Sequence, residues 1–372
     1  MTETALTQAV QTTPLAALLA HAAKPELMAC CGMLTPKELD APGRETAALI
    51  SAAAVHDLGW LRRVAVRGED RFRWLSGMVT NMVNDLPANA GAWNLVLNAQ
   101  GRILGDLHVW RDGESLKLAI AADQYDKLLA HLDHFIIMDD VELVPLDGET
   151  ALGLSGPQAP NLLAHLGLPA LPEPLTSVHT EWDGKEIRLV RAYGVLAPHY
   201  ELWVQAAEIP ALWKALLDAG ANPVGAATLE AFRIAEGIPA YGIDIAERDL
   251  AQETSQMRAL SFNKGCYLGQ EIVERIHSRG SVHRHLRSLE IFGPFPDAGT
   301  ELKSESGAPA GQITSAAGLQ LPLGQRFFAL AMMRGEAETG SQSFTYTAGE
   351  AAGTARILAT PPKLVEDGQL IE

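Results

Sequence analysis

Gly68 and Gly156 occupy matching places in an order of elements that runs twice along this chain. Residues 61–66 read as a strand, and Gly68 breaks it. Phe72, Leu75, Val79, Met82, Val83 and Leu86 then recur at helical spacing. Strand patterns follow at 92–97, 102–110 and 115–120, with turns at Asn98-Ala99-Gln100-Gly101 and Asp112-Gly113. Asp123 reads as the cap of a helix carrying Leu128, Leu129, Leu132 and Phe135. The second pass gives a strand at 151–154, a break at Gly156-Pro157 and a helix over 162–168. Paired strands at 187–190 and 200–204 come next, then a helix around 213–217. Such a repeat restricts the fold to two similar α+β units, each a sheet with helices on one face, packed around a cleft.

Past about Arg287 the helical periodicity fades. Short strand-like runs at 288–292, 310–314, 327–332 and 354–358 alternate with Gly, Ser and Pro, as in a small barrel or sandwich. The expected division is a leader over 1–46, two α+β units over 47–287, and an all-β domain over 288–372. Pro36, Pro42 and Gly43 punctuate the leader's end, and a helical stretch falls at 15–23. A length of 372 residues suits two to three domains.

No apolar run approaches the roughly 18–20 residues of a membrane helix. The start, with Thr2 and Glu3, does not read as a signal peptide. Net charge is −16, which argues against broad contact with nucleic-acid phosphates. Three cysteines, Cys30, Cys31 and Cys266, form no disulfide framework and no zinc pattern. A reducing, cytoplasmic setting is the expectation. No G-x-G-x-x-G, Walker or G-x-S-x-G pattern occurs.

The most informative stretch is Phe262-Asn263-Lys264-Gly265-Cys266-Tyr267-Leu268-Gly269-Gln270-Glu271. Gly265 and Gly269 permit a tight turn or a close approach. Residues from Gly269 suit a helix, so Cys266 stands just before a helix N-terminus with Lys264 nearby. A positive dipole end and an ammonium both favour a thiolate. Such a sulfur serves as nucleophile, redox centre or soft-metal ligand. The bland alternative is a small buried cysteine in a glycine-rich turn.

Residues 264–271 resemble the K-G-C-Y-x-G-Q-E signature of the YgfZ family, which is related to the glycine-cleavage T-protein. Leu75-Ser76-Gly77-Met78-Val79-Thr80-Asn81, the hairpin from Leu97 to Leu107, Arg233 to Pro239, and Gly311-Gln312-Ile313-Thr314-Ser315 are similar to other family segments. The resemblance spans roughly residues 55–360 and leaves the leader outside it. It implies two ferredoxin-like units forming a T-protein-like folate-binding domain, followed by a C-terminal β-barrel. It implies tetrahydrofolate, or a folate derivative, as cofactor. It implies an accessory role in iron–sulfur cluster assembly or repair through Cys266, with iron–sulfur proteins or assembly factors as partners and indirect effects on tRNA modification. Lys264 would poise the thiolate. Asn98, Asp106, Arg233, Tyr241, Tyr267, Gln270 and Arg275 would serve the folate.

The T-protein pattern departs from this chain at two places. It has paired acids where Gly105-Asp106 stands, and a pterin-fixing glutamate in a later helix at the place of Ala235, with Glu236 one position off. One-carbon transfer of the aminomethyltransferase kind is the alternative reading, and a scaffold without folate is a third. Arg275, His277, Arg279, His283, Arg284, His285 and Arg287 make a local basic run. It reads as an anion-attracting wall beside the cleft or as a solvated linker. Metal binding by Cys266 with His277, His283 or His285 matches no closed-site spacing, and no resident metal is expected.

Overall fold

A computed structural model describes residues 10–22, 24–339, 341–364 and 370–371. Thr2, Glu3 and the expected helix end at Ala23 lie outside the described residues.

The repeat is real in three dimensions. The first unit runs strand Leu61–Arg67, helix Arg71–Met78, strands Gly91–Leu97, Ile103–Asp112 and Ser115–Ala121, helix Ala122–His134, strand Glu142–Pro145. The second runs strand Glu149–Ser155, helix Ala159–His165, strands Thr176–Trp182, Lys185–Ala192 and His199–Gln205, helix Ile209–Asp218, strand Asn222–Val224. Within each sheet the second, third, fourth and first strands of the unit lie side by side, and the fifth follows on that edge. In the second sheet an extra strand, Ala54–Asp57, sits between the first and the fifth. Gly68 and Gly156 each follow a unit's first strand with φ +99° and +109°. A Cβ at Gly68 would stand 1.9 Å from the Asp140 carbonyl oxygen, and one at Gly156 would stand 2.3 Å from that of Ala52. Both positions therefore need glycine twice over, for backbone angle and for space.

Three local expectations shift. The first helix stops at Met78 rather than running to Leu86. Val79 instead bridges to Val96, and the Thr80 N–H donates to the Leu95 carbonyl, so the chain joins the sheet edge. Asp123 lies inside its helix rather than capping it, and its N–H donates to the Cys31 carbonyl. The second unit's first helix spans Ala159–His165, not 162–168.

The segment expected as a leader is part of the body. Gln11–Thr12 pairs in parallel with Met33–Pro36. Leu15 and Leu49 are fully buried, Leu15 in the core of the second unit. Asp57 accepts hydrogen bonds from the hydroxyls of Thr13 and Thr35. The buried Glu45 carboxylate accepts from Gly225 N–H at 3.0 Å and from the Thr228 hydroxyl. Apolar surface on Leu15, Ala16 and Met33 drives this docking, and buried acids fix its register.

The C-terminal domain is a closed six-stranded barrel of Arg284–Phe292, Gly324–Arg334, Pro309–Leu321, Glu301–Lys303, Ser343–Ala348 and Ala351–Ile357. Leu289, Ile291, Leu302, Ala329 and Phe344 fill it. Asp244 clamps it to the units by accepting from Thr314 and Ser315, both at 2.6 Å, and from Arg233 at 2.8 Å. Among the described residues no helix is long and apolar enough to cross a membrane.

Candidate functional site

The strand Ile103–Asp112 carries Asp106 and His108 on one side. Asp106 accepts a 2.7 Å hydrogen bond from the Trp93 indole N–H and a 3.0 Å bond from Gln124. The Asp106 N–H donates back to Gln124 at 2.8 Å. Gly105 makes this grip possible, because a Cβ there would lie 2.6 Å from the Gln124 oxygen. A second acid at that place, as the T-protein pattern has, would require Gln124 and Leu128 to shift. Burial pushes the Asp106 carboxyl above its ordinary range, while Trp93 and Gln124 pull it back toward the carboxylate.

Opposite this strand, the units and the barrel meet around Arg258. Its guanidinium lies 3.7 Å from the Tyr193 ring centroid and 4.8 Å from that of Trp93. Next to it opens a cavity of about 330 Å³ lined by Tyr193, Glu236, Gln256, Arg258, Arg287 and Ser288, among others. Glu236 Oε1 accepts from the N–H groups of Val195 and Leu196, both at 2.8 Å. Burial raises the Glu236 carboxyl to about 7, offset in part by those N–H groups and by Arg258. Ala235 is 1% exposed and packs in the core, so the acid that reaches the cavity is Glu236. The single-residue offset read from the sequence thus still delivers a carboxylate.

Two imidazoles stand outside the cavity's lining. His108 stacks between Trp93 and Trp110, with centroids 6.4 Å away on each side. His199 stacks on His56 at 5.4 Å, and the Ser155 hydroxyl bridges them at 2.7 and 3.0 Å. Burial lowers His108 and His199 to about 4, with Arg258 and Arg191 respectively adding to it, so both are neutral at pH 7.

The cysteine motif behaves differently from its sequence reading. Cys266 is exposed, and the helix Gln270–Arg279 begins after Gly269, which has φ +83°. The bland alternative of a buried thiol is therefore wrong. Lys264, however, gives its three donors to the carbonyls of Ser76, Val79 and Asn81 at 2.6–2.8 Å. It staples the end of the first unit's opening helix and keeps no N–H for the thiol. Burial lowers its pKa to about 7, while the three carbonyls favour the ammonium. Tyr267 is buried with Trp93, Leu97 and Ile103, and burial raises its hydroxyl to about 12. The Gln270 oxygen accepts from Tyr267 N–H at 3.3 Å. Asn98 shapes the hairpin, its side-chain oxygen accepting from the N–H groups of Gln100 and Arg102. The two motifs do meet: a Cβ on Gly269 would lie 2.6 Å from the Asn98 carbonyl oxygen.

The remaining expected residues scatter. Arg233 is committed to Glu230, Asp244 and the Ile238 carbonyl, and those acids raise its pKa against the effect of burial. The Tyr241 hydroxyl accepts from Lys127 at 3.0 Å and donates to the Ile103 carbonyl at 3.4 Å. Arg275 and Arg279 are exposed on the helix after the motif. Arg284 pairs with Asp249 and Glu253, and Arg287 with Glu338, so the basic run is partly neutralised. His277 stacks on Phe262 at 3.8 Å. No cluster of three or more potential metal ligands occurs among the described residues. Sequence reading missed Trp93, His108, Tyr193, His199 and Arg258. None of them lies in a motif, and only the packing of three separate segments brings them together.

Residues 20–264 match the GCVT N-terminal domain family, about two thirds of the chain. The chain belongs to that family. This GCVT-family chain is 29% identical over 301 residues to an aminomethyltransferase of Rubrobacter xylanophilus, covering 80% of each. It is 28% identical over 311 residues to an aminomethyltransferase of Thermus thermophilus, covering 82% of this chain and 87% of the relative. Against the chloroplastic protein At1g60990 of Arabidopsis thaliana, identity is 26% over 72% of this chain, which spans 62% of that relative's length. The aminomethyltransferase T of the Bartonella henselae glycine cleavage system superposes with TM-score 0.86 at 20% identity, over 98% of this chain and 100% of that one. This last likeness shows the fold. The T-protein-like architecture with a terminal barrel, expected from the sequence, is what the GCVT-family chain adopts.

Proposed function

We propose that this chain binds tetrahydrofolate where its two units and barrel meet and uses it in one-carbon transfer of the aminomethyltransferase kind. One observation carries this reading: Arg258, Tyr193 and Glu236 line a cavity where the units and barrel meet, and the Trp93 indole beside Arg258 holds the Asp106 carboxylate. The residues present fit the cofactor. A reduced pterin is a flat ring with an edge rich in N–H groups. Tyr193 supplies aromatic surface, Glu236 and the partly accessible Asp106 supply acceptors, and Arg258 supplies a cation for an anionic tail. When bound, the folate would accept the one-carbon unit. The protein's part is to fix the pterin and to hold or take a proton at Asp106.

Calorimetry with tetrahydrofolate on the wild type, Asp106→Asn and Glu236→Gln tests this. Wild type binds, and Glu236→Gln weakens binding. Asp106→Asn lowers methylene transfer by about 10²–10⁴-fold while the protein stays folded. A wild type that binds no tetrahydrofolate would sink the reading and leave the scaffold.

A second reading is favoured by the exposure of Cys266 at a helix N-terminus. In it the folate-bound chain is an accessory factor for iron–sulfur proteins, of the YgfZ kind, and acts through that thiol. Cys266→Ser then keeps folate binding but fails to restore cluster-enzyme activity in a deletion strain. Full rescue by Cys266→Ser returns the choice to the transferase.

A further inference from the structure

The hairpin between strands Leu27–Cys30 and Met33–Pro36 holds an unusual feature far in sequence from every residue discussed for the cleft. Side chains of successive residues in a strand point to opposite faces. Cys30 and Cys31 do not, because Cys31 leaves the strand with φ +48° and Gly32 follows at +85°. A left-handed conformation costs a non-glycine residue energy, so something must hold it. The Cys31 carbonyl accepts the Asp123 N–H at 3.0 Å, which pins the turn to the first turn of the helix Ala122–His134. The result brings the two sulfurs to 3.8 Å, both partly accessible.

That spacing suits chelation better than a bond between the sulfurs. Adjacent α-carbons are about 3.8 Å apart across a trans peptide, short of the roughly 4.4–6.8 Å a disulfide spans. With metal–sulfur bonds of about 2.3 Å, the observed 3.8 Å separation subtends roughly 110° at a shared ion, close to tetrahedral.

We infer that Cys30 and Cys31 form a two-thiolate capture site for a soft, thiophilic cation of the zinc, cadmium or copper(I) class. Two sulfur–metal bonds form and the thiol protons pass to solvent. The remaining coordination positions go to water or to an external thiol, since the described residues hold no group of three or more metal-ligating side chains. Two protein ligands make an open site that takes up and hands on its ion. The site is independent of the folate reading.

The test is titration of the reduced full-length chain with Cd²⁺, followed by thiolate-to-metal absorption and native mass spectrometry. One ion binds per chain, affinity rises with pH as protons are released, and Cys266→Ser leaves the signal intact. Cys30→Ser and Cys31→Ser each weaken binding at least tenfold, and circular dichroism confirms their fold. A signal that survives the double Cys30→Ser/Cys31→Ser variant, or that vanishes with Cys266→Ser, overturns the inference. So does a wild type with no thiolate-to-metal band.

Discussion

In the second unit, the Trp203 indole gives Glu201 a 2.6 Å hydrogen bond, and the ring is flanked by the guanidinium groups of Arg63 and Arg188 at 4.4 and 5.2 Å. In the first unit, another indole, that of Trp93, gives Asp106 a 2.7 Å bond, but Asp106 keeps solvent-accessible surface. The same pairing of indole and carboxylate thus occurs in both units with opposite surroundings. Around Glu201 the two sheets close, and Trp110 meets Trp203 edge-on at 5.9 Å. On the Trp93 side the cavity opens beside Arg258, 4.8 Å from that ring. The difference teaches that the same indole–carboxylate pair is sealed among cations in the second unit and only partly covered in the first.

The comparison breaks most visibly at Arg188. Its guanidinium donates to Ser177, pairs with Asp112 at 3.7 Å and shares the charge of Glu201 with Arg63, and loss of one partner of a buried ionic group costs up to about 3–5 kcal/mol. Denaturation of Arg188→Ala should show that loss, while the folded fraction keeps wild-type tetrahydrofolate affinity. Lost affinity with stability intact would mean that the second unit is not merely structural.

A smaller effect separates the two regions by pH. Glu236 has a folded pKa of about 7, above its unfolded value. Its contribution is fully present below about pH 4.5 and is lost as pH rises through 7, with a ceiling of about 3 kcal/mol. His108 and His199 act in the opposite sense, since folded values near 4 cost stability as pH falls from about 6.5. Thermal unfolding of wild type against Glu236→Gln isolates the first contribution. The wild type should weaken relative to the variant between pH 5 and 7.5. Parallel curves would show that Glu236 is not held in a low-dielectric wall.

The smallest effect sharpens the view of Asp106. Trp93→Phe keeps a ring but removes the N–H, worth about 1.5–3 kcal/mol to an ionised acceptor. Because the bond is present without ligand, its loss should lower the melting temperature, and tetrahydrofolate affinity should fall about tenfold or more. An unchanged affinity would place Asp106 outside the binding step.

Much of the architecture was legible in the residues. Gly68 and Gly156 mark the repeat because each stands where only a glycine avoids a backbone clash. The turn at Asn98 and the helix after Gly269 follow from local chemistry alone. Periodicity misjudged the stretch from Val79 to Leu86, since apolar spacing cannot show that Val79 and Thr80 bond to a neighbouring strand. It also set residues 1–46 aside as a leader, because the docking of residues such as Leu15 depends on a surface supplied by the second unit. Lys264 misled in the same way: proximity in sequence to Cys266 gave way to three carbonyls some 185 residues earlier in the chain.

By itself the chain's order of residues settled the two-fold α+β repeat, the barrel, the likeness to the T-protein and the helix after Gly269. Each of these rests on interactions within a few residues or on a periodicity of two or 3.6. The tertiary structure alone decided which polar groups come near one another. Asp106, His108, His199, Glu236 and Arg258 come from segments more than a hundred residues apart at the extremes, and their surroundings exist only once three layers have packed. Burial, which sets their protonation, is a property of that packing and of no single stretch of sequence.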